Sequence, residues 1–326
     1  MAQQVGDGFG HLGELEDNHY AFVQDGRLTL VGRKYVEQST HNWGHRVAFA
    51  GTYVLTFDKE RHNWERHDFA QLVGDENAEE TLFVREDKLY LLIFANFGSV
   101  HFKSLFRWEN NQFVELSLTA PSVKSLEEQH RTQVIAAGGV TNKGETILVV
   151  TEDSAAIPIY SLTFDGNKAL IELKSNIPED SNPLRGQTVL ADVLGNKVLI
   201  SYGVHGCGFR WENSRVFIFD LETKTVRSIQ VEGDYSELPK YCFSGPNVSA
   251  ANQKSWIVAA GTVQQGMYGS SHYGAVWVLK GVFDENETPT WVEQSETVPE
   301  GIHVLDGLDL YTLSKESVTK IELKSI

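Results

Sequence analysis

Thr52-Tyr53-Val54-Leu55-Thr56-Phe57-Asp58, followed by Trp64, reads as an apolar-alternating strand that enters an acidic turn and returns as a second strand. The same grammar recurs in Leu105-Phe106-Arg107-Trp108-Glu109 before Phe113 and in Ile159-Tyr160-Ser161-Leu162-Thr163-Phe164-Asp165 before Leu170. It returns in Val216-Phe217-Ile218-Phe219-Asp220 before Val226, and in Val276-Trp277-Val278-Leu279, where Asp284 precedes Trp291. The turn acids Asp58, Glu109, Asp165, Asp220 and Asp284 recur at intervals of 51, 56, 55 and 64 residues, the period of small antiparallel sheets repeated around an axis. Such a repeat predicts an all-β chain, a β-propeller of four-stranded blades.

Working outward, each strand-turn-strand unit is preceded by two more alternating runs. In the first unit Tyr20-Ala21-Phe22-Val23 turns at Asp25-Gly26 into Leu28-Thr29-Leu30-Val31. An Asp-Gly pair between alternating runs is a hairpin signal, because a type I′ turn needs positive φ at both central positions. Comparable punctuation falls at Asp87, Asn142-Lys143-Gly144, Gly195-Asn196, Asn252 and Asp306-Gly307. The count is six blades in one domain, at about residues 18–72, 80–120, 130–175, 186–232, 243–296 and 301–326. The last blade holds only three strands, and the N-terminal stretch 8–16, through Phe9-Gly10-His11-Leu12-Gly13-Glu14-Leu15, is expected to complete it. A ring closed in this way leaves no open edge.

Composition sets the outer limits. Of 326 residues 41% are apolar and 22% charged, enough for a large core. The net charge of −16 opposes binding to nucleic acid or an anionic membrane. Two cysteines, Cys207 and Cys242, exclude a disulfide-dense scaffold. The first residues lack a basic start and an apolar run, and no stretch approaches a membrane span, so a soluble, cytoplasmic location is expected.

The segments Tyr53-Val54-Leu55-Thr56-Phe57-Asp58-Lys59-Glu60 with Trp64, and Val216-Phe217-Ile218-Phe219-Asp220-Leu221-Glu222-Thr223, resemble the Kelch-type propeller family. The resemblance touches five of the six blades. It departs from the family at the second strand, where Ala259-Ala260-Gly261 and Val31-Gly32 keep one glycine of the usual pair, and Gly138-Gly139 falls in a first strand. Only Trp64 and Trp291 fill the family's tryptophan position. The resemblance implies a fold and little about activity.

In a propeller the loops between second and third strands, and those entering each blade, share one face. Three such loops are long and rich in aromatic, His and Gly residues: 38–46 with His41, Trp43 and His45; 202–213 with His205, Arg210 and Trp211; and 264–274 with Tyr268, His272 and Tyr273. His130, Arg131, Arg185 and His303 are expected beside them. Aromatic platforms next to polar donors suit sugars or peptide anchors. Arginines there could grip a carboxylate. Dispersed imidazoles could hold a transition metal, yet only His41 and His45 are closely spaced, and on a loop that spacing has no helical meaning.

Other chemistry leaves no mark. There is no nucleophile elbow, no sialidase-type Asp box and no phosphate-binding motif, so no cofactor is expected. With no acid/base pair to assign, whether the chain is an enzyme stays open. The leading expectation is a non-catalytic scaffold presenting its loops to a protein or peptide partner. The alternative is an enzyme or lectin acting on a small, sugar-like polar ligand at the mouth of the central channel.

Overall fold

The structure is a computed structural model that describes residues 2–12, 19–24, 26–38, 46–70, 78–95, 100–110, 112–121, 133–151, 157–177, 187–203, 215–231, 248–252, 255–260, 275–281, 284, 287–295, 301–306 and 308–322. Apart from a 3-10 turn at Phe9–Leu12, the regular elements among these residues are all strands. They fall into antiparallel meanders.

Strand β1 (Gln3–Asp7) opens the chain. The first meander is β2 (His19–Gln24), β3 (Arg27–Gln38), β4 (Arg46–Asp58) and β5 (Asn63–Ala70); the second is β6 (Ala78–Arg85), β7 (Lys88–Ala95), β8 (His101–Glu109) and β9 (Gln112–Thr119). The third is β10 (Gln133–Val140), β11 (Thr146–Thr151), β12 (Ile157–Asp165) and β13 (Lys168–Ile177). The fourth is β14 (Gln187–Leu194), β15 (Lys197–Gly203), β16 (Arg215–Asp220) and β17 (Val226–Ser228), and β18 (Gln230–Val231), next in the chain, joins the sheet of the fifth. The fifth is β19 (Val248–Asn252), β20 (Ser255–Ala260), β21 (Ala275–Lys280) and β22 (Thr290–Ser295). The last holds β23 (Ile302–Asp306), β24 (Asp309–Leu313) and β25 (Ser317–Glu322), and β1 pairs beside β25 to complete it. Closure by an N-terminal strand is as expected, but the strand is Gln3–Asp7 and not the stretch 8–16. Phe9 lies instead in the 3-10 turn, 3% exposed, because its ring packs edge-on against Trp64 at 5.8 Å.

The first strands touch in cyclic order: β2 with β6, β6 with β10, β10 with β14, β14 with β19, β19 with β23, and β23 with β2. Parallel pairings of β9 with β13 and of β18 with β22, and a parallel bridge between Thr141 and Gly195, make the meanders run in one sense. All-β architecture of propeller type follows directly.

Packing between meanders explains why the middle strands read as near-continuous apolar runs. Leu28, Leu30, Leu55 and Phe57 face Val304, Tyr311 and Leu313, while the opposite face of the same sheet sets Val31 and Val54 against Leu82, Leu89, Leu91, Ile93 and Trp108. Ile147, Val149 and Ile159 meet Val198, Ile200, Phe217 and Phe219 in the same way. A sheet covered on both faces has no polar side, so alternation gives way to continuous hydrophobicity. Each such buried side chain contributes about 1.5–3 kcal/mol. The repeated positions Phe57, Trp108 and Phe219 are therefore packing positions, all buried.

Candidate functional site

The meanders give the ring two unlike ends. One, the turn end, carries the hairpins between first and second strands and the turns between third and fourth. Its connections are short, except the link between β21 and β22 at 281–289. Glu86 and Asp87 have φ of 50° and 58°, the paired positive values of a type I′ turn, and Gly26, Gly166 and Gly195 supply positive φ in other hairpins. Two of the turn acids act alike. Asp58 accepts hydrogen bonds from the N–H groups of Glu60 at 2.9 Å and Arg61 at 3.0 Å, and Asp220 accepts from those of Glu222 at 2.7 Å and Thr223 at 3.0 Å. In each case the residue four places on, His62 or Lys224, has positive φ and bonds back to the acid's carbonyl.

Side chains lace the meanders together at this end. Lys59 pairs with Asp306 across the first and last meanders, Arg107 donates to Asn167 at 3.0 Å, and Arg85 donates to the carbonyl of Gly144 and lies over the ring of Phe164. Arg227 donates to the carbonyls of Gly281, Asp284 and Glu287, tying the fourth meander to the fifth.

The shifted titrations belong to this lacing. The N–H groups of Arg61 and then Glu60 hold the Asp58 carboxyl below its ordinary value. Burial pushes Asp220 upward, but the Lys197 ammonium and the N–H groups of Thr223 and Glu222 outweigh it and leave the carboxyl low. Burial raises the phenols of Tyr90 and Tyr311. None of these groups forms a nucleophile-base or acid-base pair.

The other, loop end receives the connections between second and third strands and those entering each meander. Here the N–H groups of Gly8, Phe9 and Gly10 bond to the carbonyls of Glu316, Ser314 and Lys315, all within the last meander. The seam between the last and first meanders is tied by the Trp64 indole, just after the β4–β5 turn, which donates to the carbonyl of Asp7 at 2.9 Å. The strands that bound segments 39–45, 122–132, 178–186, 204–214 and 261–274 all end here. His41, Trp43, His45, His130, Arg131, Arg185, His205, Arg210, Trp211, Tyr268, His272 and Tyr273 lie outside the described residues. His303 is on β23, paired with Thr312 near the loop end of that strand.

One buried acid was not marked by any sequence signal. Asp192, on β14, is 2% exposed and its Oδ1 accepts the N–H of Val193 at 2.8 Å, beside the backbone of Gly139. It looks in sequence like any polar residue in an alternating strand. Among the described residues no group of three or more His, Cys, Asp or Glu is arranged to hold a metal, and no helix is long and apolar enough to cross a membrane.

No family model matches the chain and no curated protein matches it in sequence. Solved structures that resemble it include a GH43 β-1,3-galactosidase bound to galactodeoxynojirimycin, with 9% identity, TM-score 0.47 and coverage of 90% of this chain and 99% of that one. A Trypanosoma rangeli sialidase has 12% identity and TM-score 0.48, with 97% of this chain covering 54% of the sialidase. An exo-β-1,3-galactanase from Clostridium thermocellum has 11% identity and TM-score 0.47, with 95% and 70% covered. Likenesses this distant say nothing of the chemistry of this chain.

They do correct two expectations. The neighbours are glycoside hydrolases and a sialidase and not Kelch proteins, so the Kelch-type resemblance is withdrawn. Its physical source is local: the segments that carried it are the two that share the Asp58 and Asp220 turn, whereas Asp165 and Glu109 close tight hairpins onto Lys168 and Gln112. The partner-protein scaffold goes too. The solved structures that resemble the chain are named as glycoside hydrolases and a sialidase.

Proposed function

We propose that the chain is a single six-bladed propeller whose loop end binds a small, sugar-like polar ligand at the mouth of its central channel. The carrying observation is the unlikeness of the two ends. The turn end uses short hairpins and ties its charged side chains to neighbouring meanders, so it has few free groups to offer. The long segments 39–45, 204–214 and 261–274, with their His and aromatic residues, leave and re-enter strands at the other end. Aromatic faces stack on the C–H face of a sugar ring while imidazole, guanidinium and indole groups hydrogen-bond its hydroxyls. In this reading Trp43, Trp211, Tyr268 and Tyr273 stack, and His41, His45, His130, Arg131, Arg185, His205, Arg210, His272 and His303 donate.

The test is calorimetry against a panel of mono- and oligosaccharides, with Trp211→Ala and Tyr268→Ala as variants. Wild-type protein binds at least one sugar, and each substitution lowers affinity by about tenfold or more with an unchanged melting temperature. Full affinity in both variants would place the site elsewhere.

A further inference from the structure

Residues 3–12 are held in the way a peptide ligand is held. Strand β1 lies along β25 from Gln3 opposite Lys320 to Asp7 opposite Ser317, and the register skips Val5 as a bulge. Beyond it the N–H groups of Gly8, Phe9 and Gly10 donate to the carbonyls of Glu316, Ser314 and Lys315 at 3.0, 3.2 and 2.9 Å. The first meander grips the same stretch with side chains. His62, in the β4–β5 turn, donates from Nδ1 to the carbonyl of Val5, Trp64 donates to that of Asp7 at 2.9 Å, and Arg66 donates to that of Leu12. Trp64 and Arg66 share a face of β5, since alternate residues of a strand point the same way. Such a row of donors binds main-chain carbonyls whatever side chains the segment carries.

Selectivity comes from what this groove will not admit. A Cβ at Gly6 would stand 2.5 Å from the Phe57 ring, one at Gly8 would stand 2.4 Å from the backbone of Lys315 and Glu316, and one at Gly10 would stand 2.6 Å from the Lys315 carbonyl. Between the last two glycines, Phe9 is buried against the Trp64 ring. Gln3, Gln4 and Asp7 are exposed, so their identity matters little. The groove therefore fits a Gly-x-Gly-Phe-Gly segment, which residues 6–10 supply.

The partners named here all belong to residues 57–66 or 314–320, far along the chain from the segment they hold. A second copy presents the same partners in the same places. Exchange of an identical element between copies keeps its contacts and costs association alone. Against it stands the tether, which gives a chain's own segment an effective concentration of roughly millimolar order. We infer that the groove between the first and last meanders also receives residues 3–12 of a second copy, so that chains associate by exchanging this segment as their concentration rises. Reciprocal exchange closes a two-fold dimer.

The test mixes two full-length chains in a background of Cys207→Ser and Cys242→Ser, one carrying Gln3→Cys and the other Lys320→Cys. These positions are Cα partners across β1 and β25, within disulfide reach. The mixture is held at high concentration below the melting temperature and then mildly oxidised. A non-reducing gel should show the covalent heterodimer at about tenfold the yield of a control in which Gln112→Cys, an exposed site on β9, replaces Lys320→Cys. Adding Gly8→Val to the Gln3→Cys chain should bring the yield down to that of the control. A yield no higher than the control overturns the exchange, because the segment then never docks on another copy. A yield undiminished by Gly8→Val overturns it too, because the link then forms without docking. Should the Gly8→Val chain fail to fold, excess synthetic peptide of residues 2–12 takes its place and should suppress the heterodimer by filling the groove. A peptide without effect overturns the exchange.

Discussion

The two ends of the ring are built from the same strands and obey different rules. At the turn end, connections are short, φ values are those of standard turns, and Asp58, Asp220, Lys197, Arg85 and Arg227 each have a structural partner. At the loop end the chain spends its length on segments that differ from blade to blade. Repetition is the mark of packing and closure, and the proposed binding site lies where repetition fails. The comparison breaks if substitutions at the turn end alter ligand affinity, or if those in the long loops unfold the ring.

The largest expected effect lies between the ends, in the seam of inner strands. A Cβ at Gly139 would come within 2.4 Å of the carbonyl of Val193, which is backbone and cannot rotate away. Gly139→Val should therefore cost about 3 kcal/mol or more, or prevent folding. Urea denaturation measures it, and a loss below about 1 kcal/mol would mean that β10 and β14 can part freely.

Next come the charged ties of the turn end. The Lys197 and Asp220 side chains are 14% and 8% exposed, so Lys197→Met leaves a largely buried carboxylate without its cation. The remaining N–H donors soften the penalty to about 2–3 kcal/mol. Arg227→Met removes the donor that holds the carbonyls of Gly281, Asp284 and Glu287, at about 2 kcal/mol. Both variants should bind ligand with wild-type affinity under native conditions, which sharpens the division between the ends. A tenfold affinity loss in either, with the fold retained, would dissolve it.

Much of this division was legible in the sequence, and the reasons differ by element. Hairpins declare themselves because positive φ restricts the residues allowed, as at Gly26 and Gly195, so strand boundaries follow from punctuation. The closing strand was misplaced because Phe9 is apolar enough to read as strand, while Gln3–Asp7 is polar and gains its place from backbone pairing and from Phe57, whose ring lies where a Cβ at Gly6 would stand. The Kelch-type likeness misled because a turn acid with two N–H donors is a local solution that any fold may reach. Asp192 escaped because burial of a single polar residue depends on the neighbouring meander, here on the glycine that lets β10 approach.

The smallest expected effect separates two acids that look identical in sequence. Asp58 and Asp220 both titrate below the ordinary carboxyl value of 3.8 in the folded ring. A group whose folded pKa is depressed contributes stability above its unfolded pKa and loses it as pH falls through the folded value. Both contributions are thus complete above about pH 5 and fade below about pH 4. Asp58 is held by exposed N–H donors and by Arg27 at 3.7 Å, in a setting where solvent screens the charge, whereas Asp220 has a largely buried ammonium beside it. Asp220→Asn should therefore flatten the acid limb of the stability curve visibly, and Asp58→Asn should do so much less. Melting temperatures measured from pH 7 to pH 3 decide the matter. Equal flattening by the two substitutions would mean that the shared turn, and not the Lys197 pair, sets acid stability, and that the turns of the first and fourth meanders are equivalent in energy as well as in shape.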